Sequence, residues 1–84
     1  MRLFISGNSK ATEKTLSSIH KLLEQGLAHP YTLKVINIAQ HPEQAEIHQV
    51  SATPTLIRVW PQPVKRIIGE LNDLQRVLRI ISSF

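Results

Sequence analysis

An α/β domain with element order βαβαββα, built on a mixed four-stranded sheet flanked by helices, is what this sequence predicts. Three observations carry the prediction. Short apolar runs near residues 3–5, 31–38, 55–60 and 64–68 have strand length and are separated by turn-forming residues. Between and after them, apolar residues recur at three- and four-residue steps, the period of a half-buried helix. Finally, Ala52-Thr53-Pro54-Thr55-Leu56 sets a restricted proline corner at the mouth of an apolar alternation.

Leu3-Phe4-Ile5 is the first strand and stops at Gly7-Asn8-Ser9, a turn that also offers a helix cap. From Lys10 the pattern is helical: Leu16, Ile19, Leu23 and Leu27 form a stripe that Leu22 widens, and Gly26 suits the helix end. Residues 31–38 make the second strand, with Leu33 and Val35 on one face and Ile36 and Ile38 on the other. Apolar residues on both faces call for cover on both sides. His41-Pro42-Glu43 opens a short helix, with proline at the first helical position and glutamates near the positive end of the dipole. Ala45, Ile47 and Val50 supply its thin apolar content. Two strands, residues 55–60 and 64–68, flank the hairpin signal Trp60-Pro61-Gln62-Pro63. Asn72 followed by Gln75 has the spacing of a capping box, and Leu74, Val77, Leu78, Ile81 and Phe84 give a closing amphipathic helix.

A crossover between the first two strands makes them parallel, and the last two form an antiparallel hairpin. That arrangement is the minimal thioredoxin-like core, in which the proline corner faces the functional edge of the sheet. Pro54 is therefore a cis-proline candidate. Ser6 and Ser9 sit where such folds keep nucleophilic cysteines, yet the chain has no cysteine, which excludes disulfides, thiolate catalysis and cysteine-ligated metal. A glutathione-handling enzyme is the one catalytic alternative. No charged pair follows the Thr-Pro corner to hold glutathione, and no phosphate loop, Ser/His/Asp arrangement or paired carboxylates are visible. The expectation is a protein that is not an enzyme and needs no cofactor.

Eighty-four residues make one domain, 1–84, with 42% hydrophobic residues. A chain this short buries only about 60% of the surface its unfolded form exposes. The formal charge of +4 favours acidic partners. The basic residues are scattered rather than striped, and aromatics are few, so a nucleic-acid module is not expected. No apolar run approaches the roughly 20 residues that span a bilayer, and the apolar start is too short for a signal peptide, so the expected location is the cytoplasm. His20, His29, His41 and His48 lack a surrounding carboxylate constellation and are expected to be surface histidines rather than metal ligands. Trp60 is expected to pack beside the hairpin.

Along its whole length the chain resembles the KaiB family of cyanobacterial clock proteins. The resemblance rests on Leu3-Phe4-Ile5-Ser6-Gly7-Asn8, Tyr31-Thr32-Leu33-Lys34-Val35-Ile36-Asn37, His41-Pro42-Glu43-Gln44-Ala45-Glu46, Ala52-Thr53-Pro54-Thr55-Leu56 and, above all, Pro61-Gln62-Pro63-Val64-Lys65-Arg66-Ile67-Ile68-Gly69-Glu70-Leu71. It implies a metamorphic, fold-switching protein. One state is a homotetramer of order βαββααβ, and the other is a thioredoxin-like monomer that binds the ATPase ring KaiC, recruits KaiA and competes with the kinase SasA. By the same resemblance Tyr31, Thr32 and Lys34 match the strand laid against KaiC, with Lys14 and Arg66 as further candidates. Gln49 stands where the family often has lysine.

Family members usually continue into an acidic tail, and the usual glycine and aspartate of the last element are here Ile80 and Ser82. Losing an interior glycine favours a helix by roughly 0.5–1 kcal/mol. Gly69, Ile80 and Ser82 are thus the expected determinants of fold state, and the thioredoxin-like monomer is the expected resting form. The alternative readings are a divergent paralogue acting as an adaptor in another pathway and a SasA-type sensor module.

Overall fold

The computed structural model describes residues 1–27, 30–69 and 71–82. They form β1 (Arg2–Ile5), α1 (Lys10–Gly26), β2 (Lys34–Asn37), α2 (Pro42–Ile47), β3 (Thr55–Arg58), β4 (Lys65–Ile68) and α3 (Leu74–Ile81). This is the predicted order, and the C-terminal third is a hairpin followed by a helix. The sheet runs β2-β1-β3-β4, with β1 parallel to β2 and antiparallel to β3, and β3 antiparallel to β4. Expected Phe84 of the closing helix and His29 lie outside the described residues.

Alternation along the strands divides the interior in two. Leu3, Ile5, Leu56 and Ile67 face α1 and α3 and pack on Ile19, Leu23, Val77 and Ile81. Phe4, Ile36 and Ile57 point the other way and are covered by Ile38 and Val50. Phe4, Leu3, Leu56 and Leu23 are completely excluded from solvent. Each such side chain contributes roughly 1.5–3 kcal/mol of burial.

Local chemistry sets the helix ends. Ser9 caps α1, its hydroxyl accepting from the Thr12 amide at 3.2 Å. Gly26 closes that helix for a reason of packing: a Cβ there would lie 2.7 Å from Leu78 Cδ2. The absent side chain lets α1 and α3 touch. At α3 the cap is Asp73, whose carboxylate accepts from the Arg76 amide at 3.1 Å. The cap thus lies one residue after the expected Asn72 and forms no capping box, since Arg76 stands where the reciprocal Glu or Gln would be.

Two further expectations are corrected, and α2 is as thinly apolar as expected. The second strand is Lys34–Asn37 rather than residues 31–38: its register with β1 runs from the Arg2–Lys34 pair to the Ile5–Asn37 pair, the full length of both strands. The hairpin strands stop at the Arg58–Lys65 pair, since prolines 61 and 63 cannot donate to a ladder. In α2, Ile47 is 66% exposed and no residue is buried, while Ala45 is half-buried. Residues two apart on a helix point about 200° apart, so Ala45 and Ile47 cannot both face one sheet.

Candidate functional site

The sequence-predicted partner residues fall into separate places. Thr32 and Lys34 are exposed at the entry to β2, an outer strand of the sheet, and Tyr31 is half-buried against the α1/α3 core. Lys14 is exposed on α1, the layer that covers the opposite side of the sheet from Arg66 and Lys34. The structure therefore groups Lys34 with Arg66 and separates Lys14 from both.

What joins Lys34 to Arg66 is register. Lys34 is the cross-strand partner of Arg2, Arg2 of Ile57, and Ile57 of Arg66. The four lie in one row across the sheet face that carries Phe4. His48, just beyond α2, stands over this row. Arg2 Nη1 lies 3.1 Å from its Nδ1 and 3.0 Å from its Nε2, and the imidazole centroid is 5.4 Å from that of Phe4. Arg66 donates to the carbonyls of His48 and, at 3.3 Å, Gln49. An arginine only donates, so the imidazole must accept with an unprotonated nitrogen. Consistently, burial and the charges of Arg2, Arg66 and Lys34 push the His48 pKa below the ordinary imidazole value. His48 is thus not the surface histidine expected. His20 and His41 are exposed and pair with Glu24 and Glu43.

Where thioredoxin-type folds do their chemistry, the Thr53–Pro54 bond is cis and borders a pocket with Ser6, Thr12, Thr15 and Asn72. The bonds before Pro61 and Pro63 are cis as well. Ser9 is occupied as the α1 cap. Gly69 has φ +97°, a left-handed conformation that side chains rarely adopt, and its amide donates to the Pro54 carbonyl at 3.0 Å. Ile80 packs partly buried on the core, and Ser82 ends α3 with its hydroxyl 2.6 Å from the Leu78 carbonyl.

Sequence reasoning overlooked Arg58. It is only 1% exposed and donates to the carbonyls of Ile81 and Pro63, both at 2.9 Å. Its parity with Leu56 in the strand run was the available signal. Beside it, a groove is lined by Tyr31, Pro61 and Ser82, and Trp60 stands 78% exposed at its rim rather than packed on the hairpin. No described helix is long and apolar enough to cross a membrane.

The KaiB domain model matches residues 2–83. A relative named circadian clock oscillator protein KaiB from Prochlorococcus marinus is 42% identical over 78 residues, covering 93% of this chain and 68% of its own. Proteins of the same name from Nostoc sp. and Cyanothece sp. are 40% and 38% identical over 93% of this chain, which spans 72% and 74% of theirs. With a match that runs nearly from end to end and a fold to suit it, the chain belongs to the KaiB family.

Proposed function

We propose that this protein is a circadian clock regulator, a protein-interaction module rather than an enzyme, that binds a KaiC-type ATPase ring in its thioredoxin-like state. The observation that carries the reading is the pairing of near-complete KaiB similarity with a C-terminal third built as hairpin and helix. The docking residues are Lys34 and Arg66, with Tyr31 and Thr32 at the entry to β2 and Lys14 as an outlying contributor to association rate. Bound in this way, the protein recruits a KaiA-type partner or displaces a SasA-type kinase. It acts in the cytoplasm as a monomer, and a homotetramer of the other fold is a reservoir that lowers apparent affinity by the fraction it holds. Gly69, Ile80 and Ser82 set the balance between the states.

Size-exclusion chromatography with a purified KaiC-type ring and nucleotide tests the reading. Co-elution is expected, weakened by Lys34→Glu and Arg66→Glu. No complex at ring concentrations near 50 times those of ordinary micromolar binding partners overturns it. Ile80→Gly is expected to raise the tetramer fraction seen by light scattering. A helical, monomeric Ile80→Gly variant removes that residue from the fold-state argument.

A further inference from the structure

The cation row carries more than a general affinity for acidic surfaces. Neighbouring strands lie about 4.8 Å apart, so Lys34, Arg2, Ile57 and Arg66 extend roughly 14 Å across the sheet. Like charges on adjacent strands repel. Among the described residues the ion pairs are His20–Glu24 and His41–Glu43, so no carboxylate answers Arg2, Lys34 or Arg66. The next row is Ile36, Phe4, Thr55 and Ile68, and Ile68 stands 57% exposed at its β4 end. Ile57 is itself covered, at 4% exposed, and Arg2 is half-buried beneath His48, while Lys34 and Arg66 stand exposed at the ends of the row; three cations with no carboxylate partner among the described residues focus potential along it.

We propose that this strip receives an acidic extended segment of a partner protein, with carboxylates at alternate positions meeting Lys34, Arg2 and Arg66. The proposal deepens the partner reading above and rests on it for the premise that this face binds a protein. Five extended residues reach about 14 Å from first to last, which matches the row. Alternate side chains of an extended segment share a face, so three carboxylates can point down together. A single small anion fits less well, because the cations are spread in a line and do not converge. Nucleic acid fits less well too: the aromatic residue on this face, Phe4, is wholly buried and gives bases nothing to stack on. Ile68 is placed to take an apolar side chain next to the acidic ones. Arg2 and His48 thereby enter the binding surface, with His48 holding Arg2 in place until a carboxylate competes for it.

The test is fluorescence anisotropy of the full chain with a labelled peptide, Gly-Glu-Val-Glu-Val-Glu-Gly, at low salt. The comparators are the same peptide with glutamine for glutamate, inorganic phosphate as competitor, and a short oligothymidine. The acidic peptide is expected to bind, and Arg2→Gln/Arg66→Gln to weaken it about tenfold or more. Lys34→Gln, at an exposed position where folding is not at stake, is expected to weaken it severalfold. Lys10→Gln/Lys21→Gln on α1, which removes the same two charges as the double row variant, is the control for net charge and is expected to change it less than twofold. Equal losses in the row and control variants, undiminished binding in the row variants, or no peptide binding at all would each overturn the proposal. So would oligothymidine binding more tightly than the peptide through the same residues, or phosphate displacing the peptide at equal charge concentration. Ring binding that survives Arg2→Gln/Arg66→Gln removes this strip and leaves the clock function standing. Peptide binding without ring binding does the reverse.

Discussion

Replacing Arg58 by methionine should unfasten the C-terminal third. The guanidinium is buried and donates to Ile81 at the end of α3 and to Pro63 in the hairpin loop, so one side chain from β3 ties two elements together. Arg58→Met keeps most of the volume but leaves both carbonyls without these donors, at about 1–3 kcal/mol each. It also removes a cation from the negative end of α3, worth about 0.3–1 kcal/mol. Relief from burying the charge offsets part of this. The net expectation is a loss of about 2–4 kcal/mol, against a total stability of about 4–13 kcal/mol for a chain of this length. With a urea slope near 1 kcal/mol/M, the midpoint should fall by about 2–4 M. Urea titration followed by far-UV circular dichroism reads the shift, and hydrogen exchange at residues 74–81 localises it. Arg58→Lys, whose compact ammonium cannot fork between two carbonyls, should lose about half as much. A methionine variant within about 0.5 kcal/mol of the parent, with α3 protection unchanged, would refute the claim that Arg58 fastens this region.

Other substitutions test neighbouring claims. Gly26→Val should cost about 1–3 kcal/mol by overpacking Leu78, whereas Gly26→Ala in a Leu78→Ala background should be better tolerated than either single change predicts; denaturant midpoints of the four proteins give the coupling. Asp73→Ala should weaken α3 by about 1 kcal/mol, and a similar loss from Asn72→Ala with none from Asp73→Ala would restore the capping box expected from sequence. His48 should titrate below its ordinary value of about 6.5, with Arg2, Lys34 and Arg66 facing it from β1, β2 and β4. Its folded pKa is depressed, so the unfolded chain takes up the proton first. The stability this group confers is complete above about pH 6.5 and is lost as pH falls toward the folded value. His48→Asn should flatten that part of the urea-midpoint profile, and NMR titration of the ring gives the folded pKa directly. Acidic-peptide binding should run the other way, tightening as pH falls through the same range, because carboxylates favour the imidazolium.

Element types were legible because strand and helix periods are properties of neighbours along the chain. The stripe of Ile19 and Leu23, and that of Val77 and Ile81, point inward as their spacing requires. Element ends were less legible. The second strand began late, at the residue that pairs with the first of β1, a matter of register and not of the pattern in residues 31–33.

For the proposed binding surface, the sequence supplied Lys34 and Arg66 but not their relation. They lie 32 positions apart, and only the register through Arg2 and Ile57 places them in one row. Arg58 was countable as a scattered basic residue until its strand turned it into the core. By itself, then, the order of residues determined an α/β chain with a proline corner, no thiol chemistry and a positive charge, since each is set by local pattern or composition. Which charges stand together, which one is buried beneath the last helix, and which histidine must stay neutral were decided by strand pairing, because contacts between distant segments exist only once the sheet has fixed their alignment.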